Sequence, residues 1–351
     1  MRTQTMQAIR WAGPGQLAQD TVPVPAPASD RVLVEVTRVG ICGSDLAIWR
    51  GEHARAQPGV IIGHEFVGVV AHAFAEAGLA PGDHVAVRPL IACEDRGTEP
   101  PCRACASGNS HVCTALGLYG VDEAGGLAQY VSVRTQAVHP VHADVPDDLA
   151  VLAEPLAVAV HAVHRSGLGS GDTVAIFGAG PIGLLTALVA RHRGAGRVIL
   201  VEPNDWRRRT AEQRGFTVLP AGPDAPRQVK DLTGGDGADI VFDSAGHPSV
   251  ALQITEAARI QGTVVVAGVH KQPPAVDLRG VNFAEQVLIG TRVYSREDFL
   301  TSIGLLETDE LDLASLPTTT YRLAASQDAF HAAGQGEGSV KILIDPTTAG
   351  S

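Results

Sequence analysis

The sequence predicts an α/β protein of two domains, one irregular and β-rich, the other built on a doubly wound parallel sheet. Three observations carry this. A chain of 351 residues exceeds one typical hydrophobic core. Strand-like blocks in the first half are short and broken by Gly, Pro and Asp, with no long helical pattern between them. After Asp148 the apolar blocks lengthen and alternate between strand-like and helix-like, as right-handed βαβ crossovers require.

In chain order, residues 31–39 (RVLVEVTRV) are β-branched and partly alternating, a strand that Gly40 ends as a turn. Residues 67–70, 84–87 and 129–133 read as further short strands. A helix follows Pro155. Strands at 173–177, 197–201, 240–242 and 263–267 then alternate with helices beginning near Pro181, Asp205 and Pro248. The alternation fades near Arg292; helices at 296–306 and 326–333 and a strand at 339–344 return to the first domain. The expected boundaries are 1–155 with 295–351 for the β-rich domain and 156–294 for the parallel-sheet domain.

Composition excludes several function classes. Hydrophobic residues at 45% and charged residues at 19% suit buried cores, not a disordered chain. Lys plus Arg total 27 against 38 for Asp plus Glu, and a net charge of −11 repels nucleic acid and anionic membrane surfaces alike. The apolar stretch 174–190 is broken by Gly178, Gly180, Pro181 and Gly183, so it reads as strand, turn and helix, not a membrane span. The N-terminus shows no signal-peptide run, and a cytoplasmic location is expected.

Gly178, Ala179, Gly180, Pro181, Ile182 and Gly183 form a GxGxxG motif between a strand and a helix, the context that makes it informative. The first Gly permits the tight turn, the second lets the backbone approach a pyrophosphate, and the third lets helix and strand pack. The helix start favours the anion. Glu202, nineteen residues after Gly183, closes the next strand and can accept from a free ribose hydroxyl while repelling a 2′-phosphate, which favours NAD. Arg207, Arg208 and Arg209 follow; Arg207 is the candidate for the cofactor, and a solvated helix face accounts for at least two of the three.

Five cysteines are present, four of them as Cys93-x8-Cys102-x2-Cys105-x7-Cys113, and in a reducing compartment this favours a closed structural zinc over disulfides. Cys42 in ICGSD and His64 in GHEFVG are further zinc-type ligands. Singly, each admits a bland reading: Cys42 as packing, Glu65 as an ion-pair partner, Ser44 as a turn residue. Together with Glu154 in AEPL and the nucleotide motif, the set resembles the zinc-dependent medium-chain alcohol dehydrogenases, most closely their polyol branch of sorbitol and butanediol dehydrogenases. The resemblance covers essentially the whole chain and is most specific in EPLAVAVHAV, GDTVAIFGAGPIGLL and VILVEP.

That resemblance implies a GroES-like catalytic domain, a Rossmann domain, and an active site in the cleft between them. It implies a catalytic zinc on Cys42 and His64, with Glu154 as third ligand or Glu65 as alternate, and a structural zinc on Cys93, Cys102, Cys105 and Cys113. Ser44 would pass the substrate proton outward, Asp45 would orient His64, NAD would accept hydride from a polyol, vicinal diol or sugar-like alcohol, and the protein would be a homo-dimer or homo-tetramer. The chain also departs from the family. Ala47 stands where many relatives carry a proton-relaying His, leaving His53 as an alternative path or as a solvated loop residue. Glu99 stands where the first lobe Cys usually lies, so the loop 94–101 must bulge, either around a normal site or in a lobe that has lost tight zinc. His161 and His164 read as structural. Rival readings are an NADP-linked carbonyl reductase, a zinc-free quinone reductase or redox-sensing relative, and a zinc-ribbon module joined to a nucleotide sensor. Substrate choice is expected to depend on side chains near Trp49, 116–119 and 293–294.

Overall fold

A computed structural model describes residues 4–347. The chain separates into two units, one running to Glu154 and resuming at Ser295, the other spanning Pro155–Tyr294. The fold is α/β, with a mixed sheet in one unit and a parallel sheet in the other, as the sequence predicts.

In the first unit a seven-stranded sheet runs through Thr318–Arg322, Lys341–Asp345, Arg31–Gly40, Glu65–His72, His84–Val87 and Val138–Pro140, with Tyr130–Arg134 also paired to Arg31–Gly40. The alternation of Arg31–Gly40 sends Val32, Val34 and Val36 to a fully buried face. A register shift between Val36 and Arg38 bends this strand, and Arg38 ion-pairs with Asp148 and Asp345. Leu343 pairs with Gly40, so a strand that follows the second unit in sequence is built into the first unit's sheet between Thr318–Arg322 and Arg31–Gly40.

In the second unit six parallel strands lie in the order Thr217–Pro220, Arg197–Glu202, Thr173–Phe177, Ala238–Asp243, Ala258–Val266, Val287–Gly290. Numbered along the chain this is 3-2-1-4-5-6, the order of a doubly wound dinucleotide fold. Its central strand is buried from Val174 to Phe177, hence the near-continuous apolar run. The outer strands Thr217–Pro220 and Val287–Gly290 and the hairpin Thr5–Gly13 with Gln16–Pro23 have no counterpart among the expected elements: each outer strand is only 4 residues long, and in Gln16–Pro23 polar residues interrupt the apolar ones. The helix Ala153–Ser166 starts before Pro155, which sits in its first turn where a missing N–H costs nothing. No helix among the described residues is long and apolar enough to cross a membrane.

Candidate functional site

The helix Gly43–Trp49 and the turn before Glu65–His72 gather Cys42, His64 and Glu65, whose ligand-type atoms lie within 4.8 Å of one another. Gly63 makes that turn at φ 91°, and a Cβ there would stand 3.0 Å from the side chains of Leu127 and Val39. Asp45 fastens two of the three: its Oδ2 accepts from the Cys42 N–H at 2.9 Å and its Oδ1 lies 3.3 Å from His64 Nδ1. Ser44 Oγ stands 3.4 Å from the other ring nitrogen, Nε2. Burial alone would push the His64 imidazole down, but the Asp45 carboxylate and the Cys42 sulfur hold it well above its ordinary value. Burial would raise Asp45 in turn, and His64 outweighs that and holds it below the usual carboxylate range.

Glu65 is fully buried and ion-pairs with Lys341. Burial opposes the ammonium, yet Glu65 first, then Cys42 and Glu154, keep the Lys341 pKa above its ordinary value. Neither Glu65 oxygen has a hydrogen bond of normal geometry. A buried carboxylate with open lone pairs, facing a thiol and an imidazole, fits a zinc ion by donor chemistry. Gly40 does not end its strand as a turn; it is the strand residue opposite Glu65. A Cβ on it would come 2.3 Å from Glu65 Oε2 and 2.8 Å from Lys341 Cε, so its function is to leave room. Glu154, buried in the first turn of its helix, stands outside the group of three, although its charge reaches Lys341.

His53 Nδ1 accepts from the N–H groups of Arg55 and Ala56 at 3.3 and 3.2 Å. The neutral ring then carries its hydrogen on Nε2 and has no free lone pair to take up a proton, which removes the basis for a relay through it. Tyr119, expected near the substrate, is buried with its hydroxyl accepting from the Arg134 N–H at 2.9 Å. His161 and His164 join neither ligand group.

The four remaining cysteines bring their sulfurs within 4.8 Å of one another. The long Cys93–Cys102 interval is taken up by the turn Glu94–Arg96, where Asp95 Oδ2 accepts from the Ala92 N–H at 2.6 Å and Arg96 donates to the Ile91 and Ala115 carbonyls at 2.9 and 2.7 Å. Backbone N–H groups of Cys105 and Thr114 pull the Cys102 thiol down to about 5, the thiolate form that a metal takes.

In the second unit Gly178 adopts φ 103°, and a Cβ on Gly183 would meet the Gly178 carbonyl at 1.9 Å. The helix Pro181–His192 has Gly180 as its N-cap, no capping side chain and no acidic residue in its first turn, so its leading N–H groups suit an anion. Glu202 is buried; its Oε2 accepts from the Ala179 N–H at 2.6 Å and its Oε1 from the Asn204 N–H at 2.9 Å. It fastens the glycine loop, a duty that sequence spacing does not reveal. Arg207 Nη1 lies 3.4 Å from where a Gly180 Cβ would stand, Arg208 pairs with Asp205, and Arg209 is exposed.

Residues 28–143 match the alcohol dehydrogenase GroES-like domain and residues 181–308 the zinc-binding dehydrogenase domain. The chain is 35% identical to 2-dehydro-3-deoxy-L-galactonate 5-dehydrogenase of Pseudoalteromonas atlantica, over 91% of this chain and 93% of the relative. It is 30% identical to sorbitol dehydrogenase of Halalkalibacterium halodurans, over 95% and 97%. A crystal structure described as a zinc-binding dehydrogenase of Sinorhizobium meliloti, bound to NADP, superposes with a TM-score of 0.87 at 31% identity, covering 98% of this chain and 100% of that one.

Proposed function

Because this chain belongs to the zinc-dependent medium-chain alcohol dehydrogenase family, we propose that it reversibly oxidises a secondary alcohol of a polyol, vicinal diol or sugar-like compound with NAD. The observation that carries the reading is the group of Cys42, His64 and Glu65, whose ligand-type atoms lie within 4.8 Å of one another. Cys42 and His64 would hold a catalytic zinc, with Glu65 or Glu154 as the carboxylate, and the four lobe cysteines a structural zinc. When bound, the zinc supplies a Lewis acid to the alcohol oxygen and the dinucleotide supplies the hydride acceptor. Ser44, beside His64 Nε2, would receive the alcohol proton and release it outward. Asp45 holds the His64 ring at Nδ1, and so leaves Nε2 for the metal.

The choice of NAD rests on the Glu202 carboxylate, whose charge opposes a second phosphate at the ribose. Arg207 against Gly180 favours a second reading, an NADP-linked carbonyl reductase, as does the NADP in a structural relative. We further place the protein in the cytoplasm, where five unpaired cysteines remain reduced, and propose a second copy of this chain as partner. The edge strand Val287–Gly290, with Val287 51% exposed, offers the surface for it.

Zinc content and activity test the reading together. The wild type should hold about two zincs, and Cys42→Ser about one, with no NAD reduction on a polyol panel. A wild type with one zinc that Cys42→Ser retains would show Cys42 to be no ligand and end the mechanism. Higher kcat/KM with NADP than with NAD would install the second reading.

A further inference from the structure

At the carboxyl ends of the parallel strands the glycine loop meets two others, residues 243–246 and 267–270. A Cβ on Gly178 would lie 3.2 Å from the Ala245 nitrogen, and one on Gly268 only 2.3 Å from the Gly246 nitrogen, so these backbones are in direct contact. Asp243 is fully buried between them. Its Oδ1 accepts from the Ala245 and Gly246 N–H groups at 3.0 and 2.9 Å, and its Oδ2 faces His270 Nε2 at 2.8 Å. A carboxylate only accepts, so Nε2 carries the hydrogen and Nδ1 of the neutral ring is an acceptor. That Nδ1 is buried and has no hydrogen-bond partner, and the same is true of Ser244 Oγ in the adjoining loop. Such open positions are costly unless something fills them.

Strand order identifies the occupant. In a 3-2-1-4-5-6 sheet each mononucleotide half receives one half of a dinucleotide, and the glycine loop follows the first strand. Asp243 ends the fourth strand and His270 follows the fifth, which assigns both to the half away from the adenosine. We propose that His270, held by Asp243, positions the nicotinamide half of the cofactor by accepting a hydrogen bond at Nδ1 from a ribose hydroxyl or the carboxamide N–H. This rests on the nicotinamide-cofactor reading above.

The test is titration of the intact protein with NADH, ADP-ribose and ADP. His270→Phe keeps a ring and loses the acceptor. Asp243→Asn still accepts the two loop N–H groups but donates to Nε2, which forces the ring hydrogen onto Nδ1 and reverses its polarity. Each variant should bind NADH about tenfold more weakly, the worth of one hydrogen bond, with ADP unchanged and the double variant no worse than either single one. A parallel loss for ADP-ribose identifies the ribose hydroxyl; a loss for NADH alone identifies the carboxamide. Equal weakening for ADP, or unchanged NADH affinity, overturns the assignment, and Asp243→Asn decides if His270→Phe does not fold. A wild type that binds none of the three overturns the cofactor reading itself.

Discussion

Burial, with Arg88 and Arg296 nearby, pushes His139 down to about 4, so the folded protein keeps this ring neutral where the unfolded chain, at the ordinary 6.5, protonates it. Above pH 6.5 both states are neutral and the residue contributes nothing. As the pH falls from 6.5 to about 4 the unfolded chain binds the extra proton, and stability drops by roughly 3 kcal/mol in all, the loss being complete below that window. His139→Gln should remove this component, read as urea midpoints from pH 7 to pH 4; two parallel curves would refute it. At the same scale, the pairing of Cys42 with His64 is legible only through the family resemblance, since two ligands 22 residues apart say little alone, and the carboxylate gathered with them is Glu65, the expected alternate, while Glu154 stands apart. Lys341 and Gly40 are not legible. Their meeting with Glu65 arises from pairing strands far apart in sequence, and nothing local to any of the three announces it. Glu202 is halfway: its position at a strand end is readable, its bond to Ala179 is not.

Among the elements, the four-cysteine lobe shows how an unusual spacing is accommodated. A one-turn segment with Asp95 and Arg96 bonded into its surroundings absorbs the extra residues. Cys113→Ser should therefore release about one zinc and lower the melting temperature while the catalytic group keeps its metal. Retention of the full zinc complement would show that Cys113 is not needed to hold it. Strands buried on both faces are readable from sequence because their apolar runs are unbroken, as in Thr173–Phe177. The edge strand Val287–Gly290 escapes because it is only 4 residues long, too short for its apolar run to stand out, and Val287, Leu288 and Gly290 are exposed.

For the molecule as a whole, the switch from short broken strands to strand–helix alternation marks the change of architecture near Asp148, and its fading near Arg292 marks the return. What lies across the edge strand is a question of mass. Sedimentation equilibrium should find a dimer or tetramer, and Val287→Lys with Leu288→Lys should lower that mass; a monomeric wild type would remove the second copy as partner.

The strand Lys341–Asp345 sits beside Arg31–Gly40 and carries the cation for Glu65. A ribosome delivers Cys42, His64 and Glu65 first, then the entire parallel-sheet unit, and Lys341 only after it. Throughout that interval one flank of Arg31–Gly40 lacks its final neighbour, and Glu65 lacks its counter-charge. The seam in the first unit is thus closed by a strand made after the whole second unit, and the charge balance of the candidate metal centre waits on it even though the three gathered side chains are made early.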